Sequence, residues 1–387
     1  MIYPHIVRDI DTYTLYEYKD RPTIYAIGSI ERDRFIQVDE SRKKIIQNII
    51  SLMDGQHSIT DIEMIIERDN GSRVSVEELY NILKRADLLY EQGNQDVIKN
   101  EFDVLGIKVF EIPLNKFKKT FASLSNLATP LYVVAIIAFF LTSIFCVLNY
   151  SSITVGSLLG FTDNYLRNII ITLLIMLFGV FFHELAHAIV ASKCGIIPRK
   201  ITLSLYLYIS PIIYIKLPGL YTIKPKARII VWGAGIVTNM IFACIGLFFS
   251  ILLKDYGISE NVISIIDRFW YINSLLAIAN LCPLLPLDGY FMLATVLKIP
   301  NLRRGAFNVL RMSIKEKKVR FNVTQFFYFI LSVILMLTII GKEILSMVEI
   351  FKYNIRESVF YAFWSIRQYI FVSILILILL LIKRMKR

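Results

Sequence analysis

Residues 181–189 read Phe181-Phe182-His183-Glu184-Leu185-Ala186-His187-Ala188-Ile189, FFHELAHAI. Two imidazoles and a carboxylate stand inside a run that is otherwise apolar. The run extends from Ile169 to about Ser192, enough for one helix to cross a bilayer. Ionisable groups at that depth are costly unless partners satisfy them, so they mark a functional site. On a helix, His183 and His187 project from one face, a single turn apart. Two imidazole nitrogens so spaced can share one Zn²⁺, with Glu184 beside them as general base. A hydrogen-bonded pair of core histidines would leave Glu184 without a role.

A catalytic zinc site usually takes three protein ligands and keeps one position open. The chain has four histidines, and the other two, His5 and His57, lie far upstream. The third ligand must then be a carboxylate. Asp288 is the sole acidic residue between Arg268 and Lys298. His183 lies ten residues before Lys193, and Asp288 lies ten residues before Lys298, so the two fall at similar depth if both spans run outside to inside.

The rest of the composition agrees with a membrane protein. Of 387 residues, 56% are hydrophobic. Spans are expected at Pro130–Tyr150, Ile169–Ser192, Ile229–Leu253, Trp270–Leu297, Val323–Ile340 and Tyr369–Ile382. The net charge of +12 does not call for nucleic acid. Seven basic and no acidic residues lie between Lys193 and Arg228, and the chain ends Lys383-Arg384-Met385-Lys386-Arg387. The positive-inside rule places these segments and both termini in the cytoplasm. The four cysteines, Cys146, Cys194, Cys244 and Cys282, form no C-x-x-C pair and read as packing residues.

Two segments are less regular. Ile201–Leu217 is apolar and aromatic, alternates at Leu203, Leu205, Leu207 and Ile209, and is interrupted by Pro211. It reads as a re-entrant hairpin or a sheet dipping into the membrane face; the alternation favours strands, which protein must then cover, since lipid cannot satisfy an open sheet. The N-terminal part reads as soluble. A strand is expected at Phe35–Val38, then helices over Ser41–Met53, from Thr60-Asp61-Ile62-Glu63 to Asp69, and from Ser75-Val76-Glu77-Glu78 to Ala86, then a strand at Leu88–Tyr90. This is a winged-helix-like pattern. Residues 1–95 are therefore assigned to a cytoplasmic domain, 96–128 to a basic linker, 129–300 to a catalytic core and 301–387 to a C-terminal pair of spans. The fold class is mainly α and polytopic, with about six transmembrane helices and a small membrane-associated β element.

Two resemblances add to this. His183-Glu184-Leu185-Ala186-His187, Asn280-x-x-Pro283 and Leu287-Asp288-Gly289 resemble the site-2 protease family of intramembrane zinc metalloproteases. Gly233-Ala234-Gly235-Ile236-Val237-Thr238-Asn239 is similar to the family's small-residue G-x-x-x-N stretch, with Ile236 where proline is common. The resemblance implies Zn²⁺ held by His183, His187 and Asp288, Glu184 as catalytic base, and Asn280 and Asn239 near the substrate. Leu52-Met53-Asp54-Gly55, Ser58–Ile62 and Ala86–Leu89 resemble PqqD-like peptide-recognition domains. That resemblance implies a leader peptide added as a strand at a sheet edge. Together they imply an endopeptidase of the bacterial cell membrane that matures a ribosomally made peptide. A peptide exporter or a modifying enzyme would be its natural partner. The rival readings are a regulatory protease that cuts a transmembrane signalling protein such as an anti-sigma factor, and a non-catalytic zinc-containing peptide transporter or immunity protein.

Overall fold

A computed structural model describes residues 2–71, 74–90, 106–148, 165–206, 210–308 and 323–355. Two compact units divide it. The first comprises Met1–Pro283 and Leu287–Lys298; the second comprises Leu284–Pro286 and Ile299–Arg387.

The first unit opens with an antiparallel sheet of β1 (Ile10–Tyr16), β2 (Ile24–Ser29) and β3 (Arg34–Asp39), in that order. Helices α1 (Glu40–Leu52), α2 (Ile59–Asn70) and α3 (Val76–Arg85) follow. Apolar positions at helical spacing make their core: Ile49, Met53, Ile62, Val76 and Leu83 are buried together, with Leu88. Helix α2 starts two residues earlier than the sequence suggests. Ser58 caps it: its hydroxyl accepts from the Asp61 N–H, while the Asp61 carboxylate accepts from the Ser58 N–H. Thr60 also fits a Ser/Thr-x-x-acid pattern, which is why spacing alone misplaces the cap. Leu88–Tyr90 contributes one bridge, Leu89 to Ile6, in place of the expected strand.

The expected linker 96–128 is partly structured. Gly106–Pro113 forms β4, which joins β5 (Lys200–Tyr206) and β6 (Ser210–Ile215) in a second antiparallel sheet ordered β4-β5-β6. Its basic residues are absorbed by pairing, since Glu111 meets both Lys108 and Lys200. Residues 207–209 lie outside the described residues. Helix α4 (Lys118–Leu148) carries Pro130 inside it.

Helices α5 (Tyr165–Lys193), α6 (Pro225–Asp255) and α7 (Glu260–Leu281) are long and apolar enough to cross a membrane. In the second unit, α9 (Val323–Ile355) contains a fourth such stretch. The apolar part of α4, Tyr132–Ile144, is shorter. The described residues thus hold four candidate spans rather than six, and the expected span at Tyr369–Ile382 lies outside them. The span drawn from Trp270 to Leu297 is two helices. The first, α7, begins ten residues earlier and ends at Leu281; α8 (Asp288–Val296) then starts afresh. Pro283 and Pro286 explain the break, because proline lacks an N–H and disfavours helix in the residue before it. Gly289 lets α8 close onto the end of α7: a Cβ there would sit 2.5 Å from the Leu281 carbonyl oxygen.

Helix α5 covers one face of the β4-β5-β6 sheet. Ala188 packs on Ile201, with Leu185, Ile189, Ile213 and Ile215 around them. The N-terminal sheet is tied to the membrane part of the same unit by backbone acceptors: Arg199 donates to the Glu31 carbonyl (2.5 Å) and Arg228 to the Leu15 carbonyl (2.6 Å). The Asp33 carboxylate accepts from the Gly219 N–H (3.1 Å), and burial pushes it above the usual carboxylate range.

The cap at Ser58 gives a measurable term. Ser58→Ala removes it at a cost of about 1 kcal/mol, expected as a roughly fivefold loss of hydrogen-exchange protection in the first turn of α2. The turn before α2 also depends on pH. The Gln56 N–H, then His57, hold Asp54 down to about 2, and the Ser58 hydroxyl holds Asp61 below its ordinary value. Both carboxylates stay ionised to lower pH in the fold than in the open chain, where aspartate titrates near about 3.9. Their contribution is therefore complete above that value and is lost as pH falls toward 2. Protection of the Asp61 amide, corrected for intrinsic exchange, should be flat above about pH 4 and decline below it.

Candidate metal centre

His183 and His187 lie one turn apart on α5 and both are buried. Their Nε2 atoms converge on one oxygen. Asp288 Oδ2 stands 2.9 Å from His183 Nε2 and 3.3 Å from His187 Nε2. One ligand atom from each residue can be chosen so that all lie within 4.8 Å of one another. Two bonds of about 2.0–2.1 Å at a tetrahedral centre separate their ligand atoms by about 3.3 Å, so the carboxylate contacts fit a shared ion. Asp288 reaches this point as the first residue of α8. The break at residues 282–287 makes that approach: a straight span would carry the carboxylate along α7. Trp232 of α6 stacks on Phe291 of α8 at 4.6 Å and 18°, which packs α8 beside the histidines.

The far side of each imidazole is also engaged, and both partners come from α6. His187 Nδ1 lies 2.7 Å from the Val231 carbonyl oxygen. A carbonyl only accepts, so Nδ1 carries a proton, and in the neutral imidazole that leaves Nε2 its lone pair. His183 Nδ1 lies 3.0 Å from the side-chain amide of Asn239. The His183 ring rests on Gly235: a Cβ there would lie 2.3 Å from Nε2 and 2.4 Å from Cδ2 and Cε1. The donor set suits zinc: two imidazoles and one carboxylate, buried, with each second imidazole nitrogen held by a neighbour.

Glu184 is half-buried beside the pair, and its Oε2 accepts from the Ile215 N–H on β6 (3.0 Å). Sequence reasoning gave no sign of this bond, which depends on the sheet packing against α5. The strand pairing explains why the Ile215 N–H points at Glu184. In an antiparallel ladder every second residue turns its N–H and C=O away from its partner. Ile215, Ile213 and Pro211 share that parity on β6 and face the open edge of the sheet.

Two residues assigned above to substrate have hydrogen-bond partners within the protein. Asn239 is fully buried and meets His183. The amide of Asn280 donates to the Leu276 carbonyl within its own helix (2.9 Å). Gly235 was legible only as one of several small residues; its contact with His183 requires the crossing of α5 and α6.

Comparison with known proteins points the same way. Residues 171–272 match the model of "Peptidase family M50". A Bacillus subtilis (strain 168) protein named "Putative zinc metalloprotease YwhC" is 36% identical over 133 residues, covering 28% of this chain. The chain spans 60% of that relative's length. No solved structure matches. The segment that holds both histidines, Glu184, Gly235 and Asn239 is thus the part of the chain that is similar to peptidase family M50.

Proposed function

We propose that this chain is a membrane-embedded zinc endopeptidase of the site-2 type. The observation that carries the reading is the convergence of His183, His187 and Asp288 next to Glu184, among apolar helices. His183 Nε2, His187 Nε2 and an Asp288 oxygen would hold the ion. Bound there, zinc would supply Lewis acidity, polarising a peptide carbonyl and making water easier to deprotonate. Glu184 takes a proton from the attacking water and returns it to the leaving amine. Its Oε2 is fixed by Ile215, which leaves Oε1 to carry that proton. The surrounding apolar side chains keep other water away.

Peptide would approach along β6. A helical substrate hides its carbonyls in its own hydrogen bonds and must unwind to be cut. An unwound segment can pair as an added strand with the edge that carries Ile213. Ile215 is engaged by Glu184 and Pro211 has no N–H, so Ile213 supplies the donor.

The substrate we infer is a ribosomally made peptide precursor, recognised through its leader by the N-terminal domain. The support is a groove of about 460 Å³ along the edge strand β1, lined by Ile10, Asp11 and Thr12 and by Gln47, Ile50 and Ser51 of α1. The basic loops support a cytoplasmic position for that domain. Titration of the purified protein with a leader peptide tests this, and absence of saturable binding would favour a transmembrane signalling protein as substrate.

Glu184→Gln should keep stoichiometric zinc and reduce cleavage of a peptide substrate at least a hundredfold, the scale of general-base loss. Retained cleavage would favour a non-catalytic, transport or immunity role. Ile213→Pro is tolerated by an edge strand whose N–H faces outward. It should lower kcat/KM about five- to tenfold, the loss of one hydrogen bond, with zinc content unchanged; unaltered kcat/KM would remove the strand-pairing step.

A further inference from the structure

The G-x-x-x-N stretch of α6 has no part in the proton transfers described above, yet it touches the centre at two points. We propose that Gly235 and Asn239 together form a cradle that fixes His183 as the Nδ1-protonated tautomer and so presents its Nε2 lone pair to the metal. Asn239 is then a positioning residue that acts through His183, and the assignment rests on the zinc reading above.

Three observations carry it. The ring of His183 sits on the bare Cα of Gly235, where any Cβ would be 2.3–2.4 Å from Nε2, Cδ2 and Cε1. The ring therefore has one place to lie, with Nε2 toward Asp288 and Nδ1 toward Asn239. A neutral imidazole has one protonated nitrogen. If Nε2 is to ligate, Nδ1 must carry the proton and needs an acceptor. The Asn239 side chain is fully buried, and its Oδ1 has no hydrogen-bond partner while its Nδ2 faces His183. Amide oxygen and nitrogen exchange places by a half-turn of the terminal group, and the hydrogen-bond network decides between them. The half-turn gives Oδ1 the Nδ1–H of His183 as its donor. His187 shows the same logic, because its Nδ1 meets the Val231 carbonyl, which can only accept.

The spacing supports a common origin. Val231, Gly235 and Asn239 are successive i, i+4 positions, so they lie along one face of α6. That face supplies an acceptor for one imidazole, room for the other, and an acceptor for its far nitrogen.

The test is zinc affinity of the full chain in detergent, by competition with a chelator, together with the visible spectrum of the Co²⁺-loaded protein. Asn239→Asp can accept but not donate, and Asn239→Leu can do neither. Asn239→Asp should bind zinc about as tightly as the wild type. Asn239→Leu should bind ten- to a hundredfold more weakly, as when an outer-shell partner of a zinc histidine is lost, and should shift the Co²⁺ bands. Gly235→Ala should weaken binding too, by displacing the ring. A loss in Asn239→Asp equal to that in Asn239→Leu would overturn the proposal, since it would mean that the amide donates to Nδ1. Unchanged affinity in Asn239→Leu, or weaker binding with unmoved Co²⁺ bands, would overturn it as well. Should Asn239→Leu fail to fold, wild-type affinity in Asn239→Asp supports the proposal, and a tenfold loss there sinks it. Zinc bound by His187→Ala as tightly as by the wild type would instead overturn the metal reading, a result distinct from all of these.

Discussion

Two imidazoles and a carboxylate buried between apolar helices have to satisfy one another, helped by the Val231 carbonyl and the Asn239 amide that α6 brings alongside. The rest of the first unit's membrane helices are arranged around this requirement. Helix α5 supplies both histidines on one face. The proline-broken turn after Leu281 frees α8 to bring Asp288 to them as the first residue of a new helix, where a negative charge is also favoured by the helix dipole. Small residues on α6 permit its close crossing with α5: Ala234 is fully buried, and Gly235 leaves space for an imidazole. Charge, chain direction and residue size therefore answer to one polar cluster.

The chemistry was more legible in the sequence than the architecture. His183, Glu184 and His187 stand out because charge-prone residues are rare within such an apolar run. Asp288 stands out as the sole acidic residue in its stretch. Both signals are local and need no knowledge of packing. Residues 201–217 announced strands by their alternation, and the hairpin of β5 and β6 follows that register.

What escaped sequence reading depends on partners distant in the chain. Strand β4 lies in a stretch flanked by lysines, and it looks like a linker until Lys200 pairs with Glu111 across the ladder. The extent of α7 was misjudged because hydropathy continues through Cys282–Leu287 although helical geometry does not. Pro283 and Pro286 carried that information, and an average over the window hides it. Asn239 was noticed for its position in a motif, but its contact with His183 joins residues 56 apart on two crossing helices. The cap of α2 was missed for a smaller reason, since Ser58 and Thr60 both satisfy the local pattern and only the burial of Ser58 separates them.

The outer rim of β6 is chemically sparse. Proline silences one of its outward positions, and a carboxylate occupies another. Among the described residues of β6, Ile213 is the outward position whose N–H is left for a visiting chain, and because an extended backbone repeats every two residues, a slide by two would restore the same pairing. If that rim receives peptide as proposed, it would fix only which alternate carbonyls face it, and the choice of bond would fall to whatever holds the peptide elsewhere.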